Sequence, residues 1–202
     1  ALPFSAFPLT LALACALSMG APDLASATSY TNSASGPWDA DASWTGAKPA
    51  AGGAVDAEIV FANSVVSSNS LSGTFRLNRM EFAGGTATLS GGALSFTNNG
   101  ATGPQLANTG SGPVAVRNAI AFGYDTTFYT VGAITNYGAI SGKGGLVKTG
   151  SGLLILAATN NSTLTYFGTT LVAAGTMMIG TSTNGMGSSS STNVTVQGGA
   201  TL

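Results

Sequence analysis

One short unit recurs along this chain: a glycine, any residue, an apolar residue, any residue and a second apolar residue. It occurs at 85–89, 92–96, 152–156 and 175–179. Because successive side chains of a β-strand point to opposite faces, the two apolar residues of each unit share one face. The glycine allows the bend at which the strand begins. The pattern therefore predicts short strands, each with one apolar face, separated by tight turns.

The spacing of the units indicates how these strands are arranged. Gly152 and Gly175 are 23 residues apart, which is a repeat length typical of solenoid proteins. One coil of a β-helix needs about that length for three short strands and their turns. Stacked coils bury a column of apolar side chains, each of which contributes about 1.5–3 kcal/mol. No segment after residue 28 shows helical periodicity, so we predict an all-β fold, a parallel β-helix (β-solenoid).

The low content of charged residues agrees with strands that are stacked into coils around an apolar interior. Only 6% of the residues are charged and the net charge is −1, while 44% are hydrophobic. An inward-facing charge is costly unless it is paired, and charges are scarce in the predicted coils. The six cations of the chain are scattered, whereas phosphate binding needs clustered cations, so we expect no nucleic-acid partner. Between residues 84 and 184 the charged residues are Arg117, Asp125, Lys143 and Lys148.

The residue types that carry most catalytic and metal chemistry are missing. The chain has no histidine, and its one cysteine, Cys15, lies in the apolar N-terminal segment. This excludes a Ser-His-Asp triad and a histidine-ligated metal, and it excludes thiol catalysis after that segment is removed. We therefore expect a protein that is not an enzyme, with no cofactor and no catalytic or metal-binding residues.

Carboxylates are the remaining acid–base candidates. Asp39 with Asp41, and Asp56 with Glu58, have the spacing that places two carboxylates on one face of a strand. Such pairs could bind Ca²⁺ through oxygen ligands, or could act in glycoside hydrolysis if properly separated. The interpretation we favour is that they are solvated polar positions of an N-terminal cap. Whether they bind calcium is left open by the sequence.

A carbohydrate-active β-helix enzyme is the alternative function. Trp38 and Trp44 could stack on sugars, although we favour a role in covering the first coil. Arg79 near Glu81 weakly resembles the arginine base of polysaccharide lyases that have this fold. Both lie on a possible strand over 75–82, which needs a bulge or an edge, because regular alternation would place Arg79 on the apolar face.

Four aromatic residues form a looser group between residues 124 and 137. We expect them to pack in the core or to stack on neighbouring coils. A third functional possibility is a Thr-rich solenoid that binds a regular surface, but the Thr-x-Thr pairs at 86–88 and 163–165 are too irregular to favour it. The four aromatic residues are Tyr124, Phe128, Tyr129 and Tyr137.

The N-terminal segment has the pattern of an export signal. Residues 9–19 form an apolar run that is short for a bilayer span. Ala25, Ser26 and Ala27 supply the small residues that precede a peptidase site. We predict a signal peptide at 1–27 with cleavage after Ala27. A lipoprotein anchored through Cys15 and an uncleaved membrane anchor are the alternatives.

Residues 144–156, Gly-Gly-Leu-Val-Lys-Thr-Gly-Ser-Gly-Leu-Leu-Ile-Leu, resemble a known family. They are similar to the autotransporter-associated β-strand repeat, also called the passenger-associated transport repeat. The resemblance is strongest over about 138–180 and runs back more weakly to Trp38. The link from Asn160 to Tyr166 is longer than in the family. The matching residues of the continuation are Asn160 or Asn161, Tyr166, Gly168, Thr170, Val172, Gly175 and Met177.

This resemblance implies a right-handed β-helix passenger of a bacterial surface protein. It implies a secreted or cell-surface location, with association to the outer membrane through a downstream barrel that this sequence does not contain. We expect the chain to be the N-terminal fragment of a longer protein with an open C-terminal end. The expected organisation is a signal peptide at 1–27, a cap region at 28–60 and solenoid coils at 61–202, with the repeat motif at about 144–180.

The favoured function is a structural or adhesive passenger or stalk. Its possible partners are extracellular polysaccharide, matrix or a host surface, which uncharged Ser, Thr, Asn and Tyr side chains on the outer wall would contact. Folding coil by coil outside the cell would assist export, because each coil needs only its neighbour as a template.

Overall fold

The structure is a computed structural model that describes residues 27–100, 102–157, 164–180 and 194–202. In these residues the chain is all-β apart from one 3₁₀ turn at Asp41–Ser43, and it forms a β-solenoid of about five turns. Three sheets run along the stack, and each complete turn contributes one strand to each sheet. The predicted β-solenoid is therefore confirmed. The predicted signal peptide lies outside the described residues, apart from Ala27.

Sheet A is the longest of the three sheets and has nine strands in the described residues. Eight of these strands are parallel, and the short strand β3 (Trp44–Thr45) closes one end by pairing antiparallel with β1 (Thr28–Asn32). In chain order its strands are β1 (Thr28–Asn32), β3 (Trp44–Thr45), β4 (Ala57–Phe61), β7 (Arg79–Phe82), β10 (Gln105–Asn108), β13 (Thr126–Thr130), β16 (Leu146–Thr149), β19 (Thr170–Val172) and β21 (Val194–Val196).

Sheets B and C complete each turn with parallel strands. Sheet B consists of β2 (Gly36–Pro37), β5 (Val65–Asn69), β8 (Ala87–Gly91), β11 (Val114–Val116), β14 (Ile134–Asn136), β17 (Leu153–Leu156) and β20 (Thr176–Ile179). Sheet C consists of β6 (Phe75–Leu77), β9 (Leu94–Phe96), β12 (Ile120–Phe122), β15 (Ile140–Gly142) and β18 (Leu164–Tyr166).

The coils stack in register, as the repeated unit predicts. Leu154 of β17 pairs with Met177 of β20, so this coil has the 23-residue length expected from the sequence. In the described ladders the shortest separation between paired residues of successive coils is 19 residues, from Phe75 to Leu94, and the longest is 31, from Gly36 to Ser67. The extra residues therefore lie in turns, and the ladders remain continuous.

The inward face of each strand builds one apolar column. In sheet B every inward side chain of the aligned column is at most 3% exposed. Three of the four recurring units place both apolar residues inside; in the fourth, Met177 is buried and Ile179 is only half-buried. The aligned column of sheet B is Val65, Ala87, Val114, Ile134, Leu154 and Met177.

Asn78 forms the corner that separates β6 from β7. Its backbone N–H bonds to Ala57 O of the preceding coil, and its Nδ2 donates to the carbonyl oxygens of Thr97 and Thr102 at 2.8 and 2.9 Å. This corner replaces the single strand considered over 75–82, and it explains why Arg79 can point outward directly after a buried stretch.

Trp38 and Trp44 cover the first coil. Trp38 is fully buried, with its ring centroid 5.0 Å from that of Phe75, and its Nε1 donates to Ser67 Oγ at 2.9 Å. Trp44 packs edge-on against Trp38 and donates its Nε1 to the Trp38 carbonyl oxygen. Both indoles therefore have a packing role and a hydrogen bond, which fits the favoured interpretation and leaves no ring face for a sugar.

Candidate functional site

The first carboxylate pair lies on the surface of the cap, and each member has its own partner. Asp39 Oδ1 accepts a hydrogen bond from Ser70 Oγ at 2.7 Å. Asp41 Oδ1 forms an ion pair with Lys48 Nζ at 2.9 Å, and Lys48 Nζ also donates to the Asp39 carbonyl oxygen. Because both acidic residues are exposed, this arrangement has the geometry of a solvated turn.

The second carboxylate pair is also divided between different partners. Asp56 Oδ2 accepts from Thr28 Oγ1 at 2.9 Å. Glu58, on the outer face of β4, forms an ion pair with Arg79 Nη1 of the next coil at 3.2 Å. Arg79 Nη2 continues across a third coil to Gln105 Oε1 at 2.9 Å. This polar chain ties three coils together along the outside of sheet A.

Arg79 is therefore paired with Glu58 and not with Glu81. Glu81 Oε1 accepts from Thr109 Oγ1 at 2.8 Å. The guanidinium of Arg79 is thus occupied by Glu58 and Gln105 of the neighbouring coils, which opposes a role as a base. Within the described residues, no group of three Asp, Glu, His or Cys side chains is placed to hold a metal ion.

Lys148 carries the most unusual electrostatics of the structure. Its side chain points inward from β16 and is fully buried. Its Nζ donates to the carbonyl oxygens of Thr149 and Gly150, both at 2.8 Å, and of Ala174 in the next coil at 3.0 Å. Burial lowers the pKa of Lys148 from 10.5 to about 8. The ammonium ion therefore caps the corner carbonyls of two consecutive coils.

Glycines make room for this ammonium. Gly150 and Gly175 have φ values of 76° and 71°, which side-chain-bearing residues rarely adopt. A Cβ on Gly175 would overlap the Gly150 carbonyl oxygen and lie 2.8 Å from Lys148 Nζ. The Lys-x-Gly pattern at 148–150, which carries part of the family resemblance, thus has a structural role at the corner.

The aromatic residue of the repeat motif is also structural. Tyr166 is fully buried, and its hydroxyl lies 2.6 Å from Thr170 Oγ1. Desolvation raises the pKa of Tyr166 above 10.0, although the Thr170 hydrogen bond acts in the opposite direction. Asn160 and Asn161, the remaining candidates of the motif, lie outside the described residues.

A groove of about 420 Å³ lies where sheet C turns into sheet A. Three successive coils contribute to it: a long turn after β9, the turn after β12 and the turn after β15. Tyr124 is 55% exposed beside it. The groove is lined by Asn98, Gly103, Pro104, Gly123, Tyr124, Asp125, Lys143 and Gly144.

The turn that carries Tyr124 and Asp125 is fixed by hydrogen bonds. Thr126 Oγ1 donates to the Tyr124 carbonyl oxygen at 2.9 Å, and the Gly145 N–H donates to Asp125 Oδ1 at 2.7 Å. The groove therefore combines an aromatic ring, a carboxylate and the exposed ammonium of Lys143. These groups can hold a polyhydroxylated ligand by apolar contact and hydrogen bonds.

The expectation that all four aromatic residues between 124 and 137 pack or stack is wrong for Tyr124. Phe128 is fully buried, and Tyr137 lies 4.8 Å from the guanidinium carbon of Arg117. Tyr124 lies in the turn between β12 and β13, where strand alternation no longer decides which way a side chain points. Its position between Gly123 and Asp125 is the sequence signal that indicates a turn.

Comparison with known proteins adds no relative: no family model, curated protein or solved structure matches this chain. The resemblance to the autotransporter-associated repeat therefore stays a prediction. Among the described residues no helix has the length and apolar character needed to cross a membrane.

Proposed function

We propose that this chain is an exported, non-catalytic β-helical passenger or stalk with a structural or adhesive role at the bacterial surface. The observation that carries the proposal is the rod that the coils build. The eight parallel strands of sheet A extend over about 34 Å at the usual strand spacing. A rigid rod of stacked coils suits a protein that holds other groups away from a surface or presents a long contact face.

The outer face of sheet B supports an adhesive role. Its central outward column has no charged residue, so a partner surface can approach without a charge being desolvated. Val66 and Met178, at the two ends of the column, are exposed apolar side chains. The full column is Val66, Thr88, Ala115, Thr135, Ile155 and Met178.

The use of the charged side chains supports a non-catalytic role. Lys148 bridges the corners of two coils, and the Glu58–Arg79 pair bridges two strands of sheet A. These charged groups connect consecutive coils, and a stalk requires such connections to remain rigid. Each coil packs on its neighbours alone, so coils can be added one by one as the chain leaves the cell.

The location is tested in cells that make the protein from its natural gene. Intact cells are treated with proteinase K, and the N-terminus of the exported protein is determined by mass spectrometry. The proposal predicts that the protease reaches the protein and that the mature chain begins at Thr28. A protein that is protected in the cytoplasm, with residues 1–27 still attached, would contradict it.

The enzyme alternative is tested with the same purified protein. It is incubated with polygalacturonate and with neutral glycans in the presence of Ca²⁺, and reducing ends and unsaturated products are measured. We expect no turnover above that of a heat-denatured sample. Robust turnover would replace the stalk by a carbohydrate-active β-helix enzyme.

A further inference from the structure

We propose that the groove beside Tyr124 binds a neutral polysaccharide chain. This inference rests on the proposed function in one respect, since it assigns the adhesive role to one site and names the chemistry of its partner. Four features of the groove support it: the ring of Tyr124, the polar groups around this ring, the charge balance of the groove and its length.

Tyr124 is presented in the way a sugar platform requires. Its ring is more than half exposed, while its backbone is held by the hydrogen bond from Thr126. The next two coils have glycine at the equivalent positions, Gly144 and Gly168, as the pairing of Phe122 with Gly142 and of Gly142 with Tyr166 shows. These two equivalent positions therefore place no side chain beside the ring, so the apolar C–H face of a sugar can pack there.

Polar groups with free hydrogen-bonding capacity surround the ring. Asp125 uses Oδ1 to accept from Gly145, and its Oδ2 accepts no hydrogen bond from the described residues. Asn98 uses Oδ1 to accept from Gly100, which leaves its Nδ2 as a donor. Lys143 adds an exposed ammonium. A carboxylate acceptor and two nitrogen donors match sugar hydroxyls, which both donate and accept.

The charge balance of the groove favours a neutral polysaccharide as its ligand. Asp125 and Lys143 are the ionised groups among the lining residues, and their formal charges cancel. A nucleic acid would need several cations along its path. A calcium-bridged polyuronate would need several carboxylate ligands from the protein. A hexose polymer needs neither.

The shape of the groove selects a chain over a single sugar. Its lining comes from three consecutive coils, which places its two ends about 10 Å apart along the stack. The long turn after β9 forms one wall, with Gly103 and Pro104. A ligand that follows the groove therefore spans more than one sugar ring.

Affinity electrophoresis of the full chain tests the inference. Native gels contain yeast mannan, laminarin, hydroxyethyl cellulose or polygalacturonate, and migration is compared with gels that contain no polysaccharide. We expect at least one neutral polysaccharide to retard the protein. Tyr124→Ala should weaken this retardation at least ten-fold, and Tyr124→Phe should retain most of it, because the ring is kept.

Two further variants separate the groove from other contacts. Asp125→Asn keeps the acceptor for Gly145 but removes the charge, and we expect several-fold weaker retardation. Phe167→Ala removes a ring that is 57% exposed but does not line the groove, and it should bind as the unmodified protein does. Circular dichroism of each variant verifies that the fold is kept.

Three results would overturn the inference: no retardation in any neutral gel, equal retardation of the unmodified protein and Tyr124→Ala, or retardation in polygalacturonate alone. These outcomes are independent of the protease test of location. A protein at the cell surface that binds no neutral glycan would refute the groove and leave the stalk. A cytoplasmic protein that binds glycan through Tyr124 would refute the stalk and leave the groove.

Discussion

Lys148 Nζ of β16 lies 3.0 Å from the carbonyl oxygen of Ala174, which belongs to the following coil. A buried ammonium thus joins two turns of the solenoid through backbone carbonyls, with no carboxylate involved. With a pKa of about 8 the side chain is still protonated at neutral pH, so these hydrogen bonds are charge-assisted. Because one side chain makes this contact, its substitution measures how much one corner contributes to the stability of the stacked coils.

Replacing Lys148 should destabilise the fold. Lys148→Met keeps most of the side-chain volume but leaves three carbonyl oxygens without their donor, and each buried unpaired acceptor costs about 1–3 kcal/mol. Relief of the buried charge offsets part of this loss, so we expect the free energy of unfolding to fall by about 2 kcal/mol. Urea denaturation measures it. Lys143→Met, at an exposed position, is the control and should change stability by about 0.5 kcal/mol or less; equal effects would contradict the role of Lys148.

Stability should rise with pH above neutrality. Well below pH 8 the Lys148 side chain is protonated in both the folded and the unfolded state, so it does not make the free energy of unfolding depend on pH. Between about pH 8 and 10.5 the unfolded chain binds the proton more strongly than the folded chain, and the free energy of unfolding increases. The raised pKa of Tyr166 acts in the opposite direction above pH 10. Urea denaturation from pH 7 to 10 should therefore show a free energy of unfolding that rises with pH in the unmodified protein but not in Lys148→Met. If the free energy also rises in that variant, another titrating group is responsible.

The corner glycine should be irreplaceable. Gly175→Ala introduces a Cβ that overlaps the Gly150 carbonyl oxygen in a left-handed backbone conformation. Gly73→Ala is the matched control, since its φ is 78° and open space surrounds its Cβ position. In the control, the free energy of unfolding should fall only by the penalty of placing alanine in a left-handed backbone conformation, about 1–2 kcal/mol. Gly175→Ala should lower it further. Thermal unfolding compares the two, and equal melting temperatures would show that the corner tolerates a side chain.

The tryptophan cover should stabilise the first coil. Trp38→Ala removes a fully buried indole and its hydrogen bond to Ser67, which should cost about 3–5 kcal/mol. Phe167→Ala, at an exposed aromatic position, should cost far less. Hydrogen exchange locates the effect: we expect amide protection to fall first in β1 and β4. A uniform loss along the stack would mean that the rod unfolds as one unit.

The sequence predicted the strands better than the corners. The recurring glycine unit placed Leu94 and Leu154 inside, because alternation along a strand is a local property. The burial of Lys148 could not be predicted in this way, since it depends on carbonyl oxygens from the neighbouring coil. The scarcity of charges favoured a dry interior, yet one of the few cations lies within it. The winding sense of the solenoid stays a prediction from the family resemblance.

The groove was missed for a related reason. Asn98, Tyr124 and Lys143 lie far apart along the chain, and the coil register alone brings their turns together. Finding the groove from sequence requires the coil boundaries first, because coils of 19 to 31 residues shift the equivalent positions. The carboxylate pairs had attracted attention through their spacing, but each of the four carboxylates has its own neighbouring partner.

Parallel, in-register stacking of the coils is the central claim, and a disulfide test measures it directly. In a Cys15→Ser background, Thr135→Cys and Ile155→Cys place thiols on adjacent coils at paired positions, about 5 Å apart between Cα atoms. Thr135→Cys with Met178→Cys places them two coils apart, at about 10 Å, beyond the reach of a disulfide. After mild oxidation, we expect mass spectrometry of the folded monomer to show a complete disulfide in the first variant and none in the second. No disulfide in the first variant, or one of equal yield in the second, would contradict the stacked register.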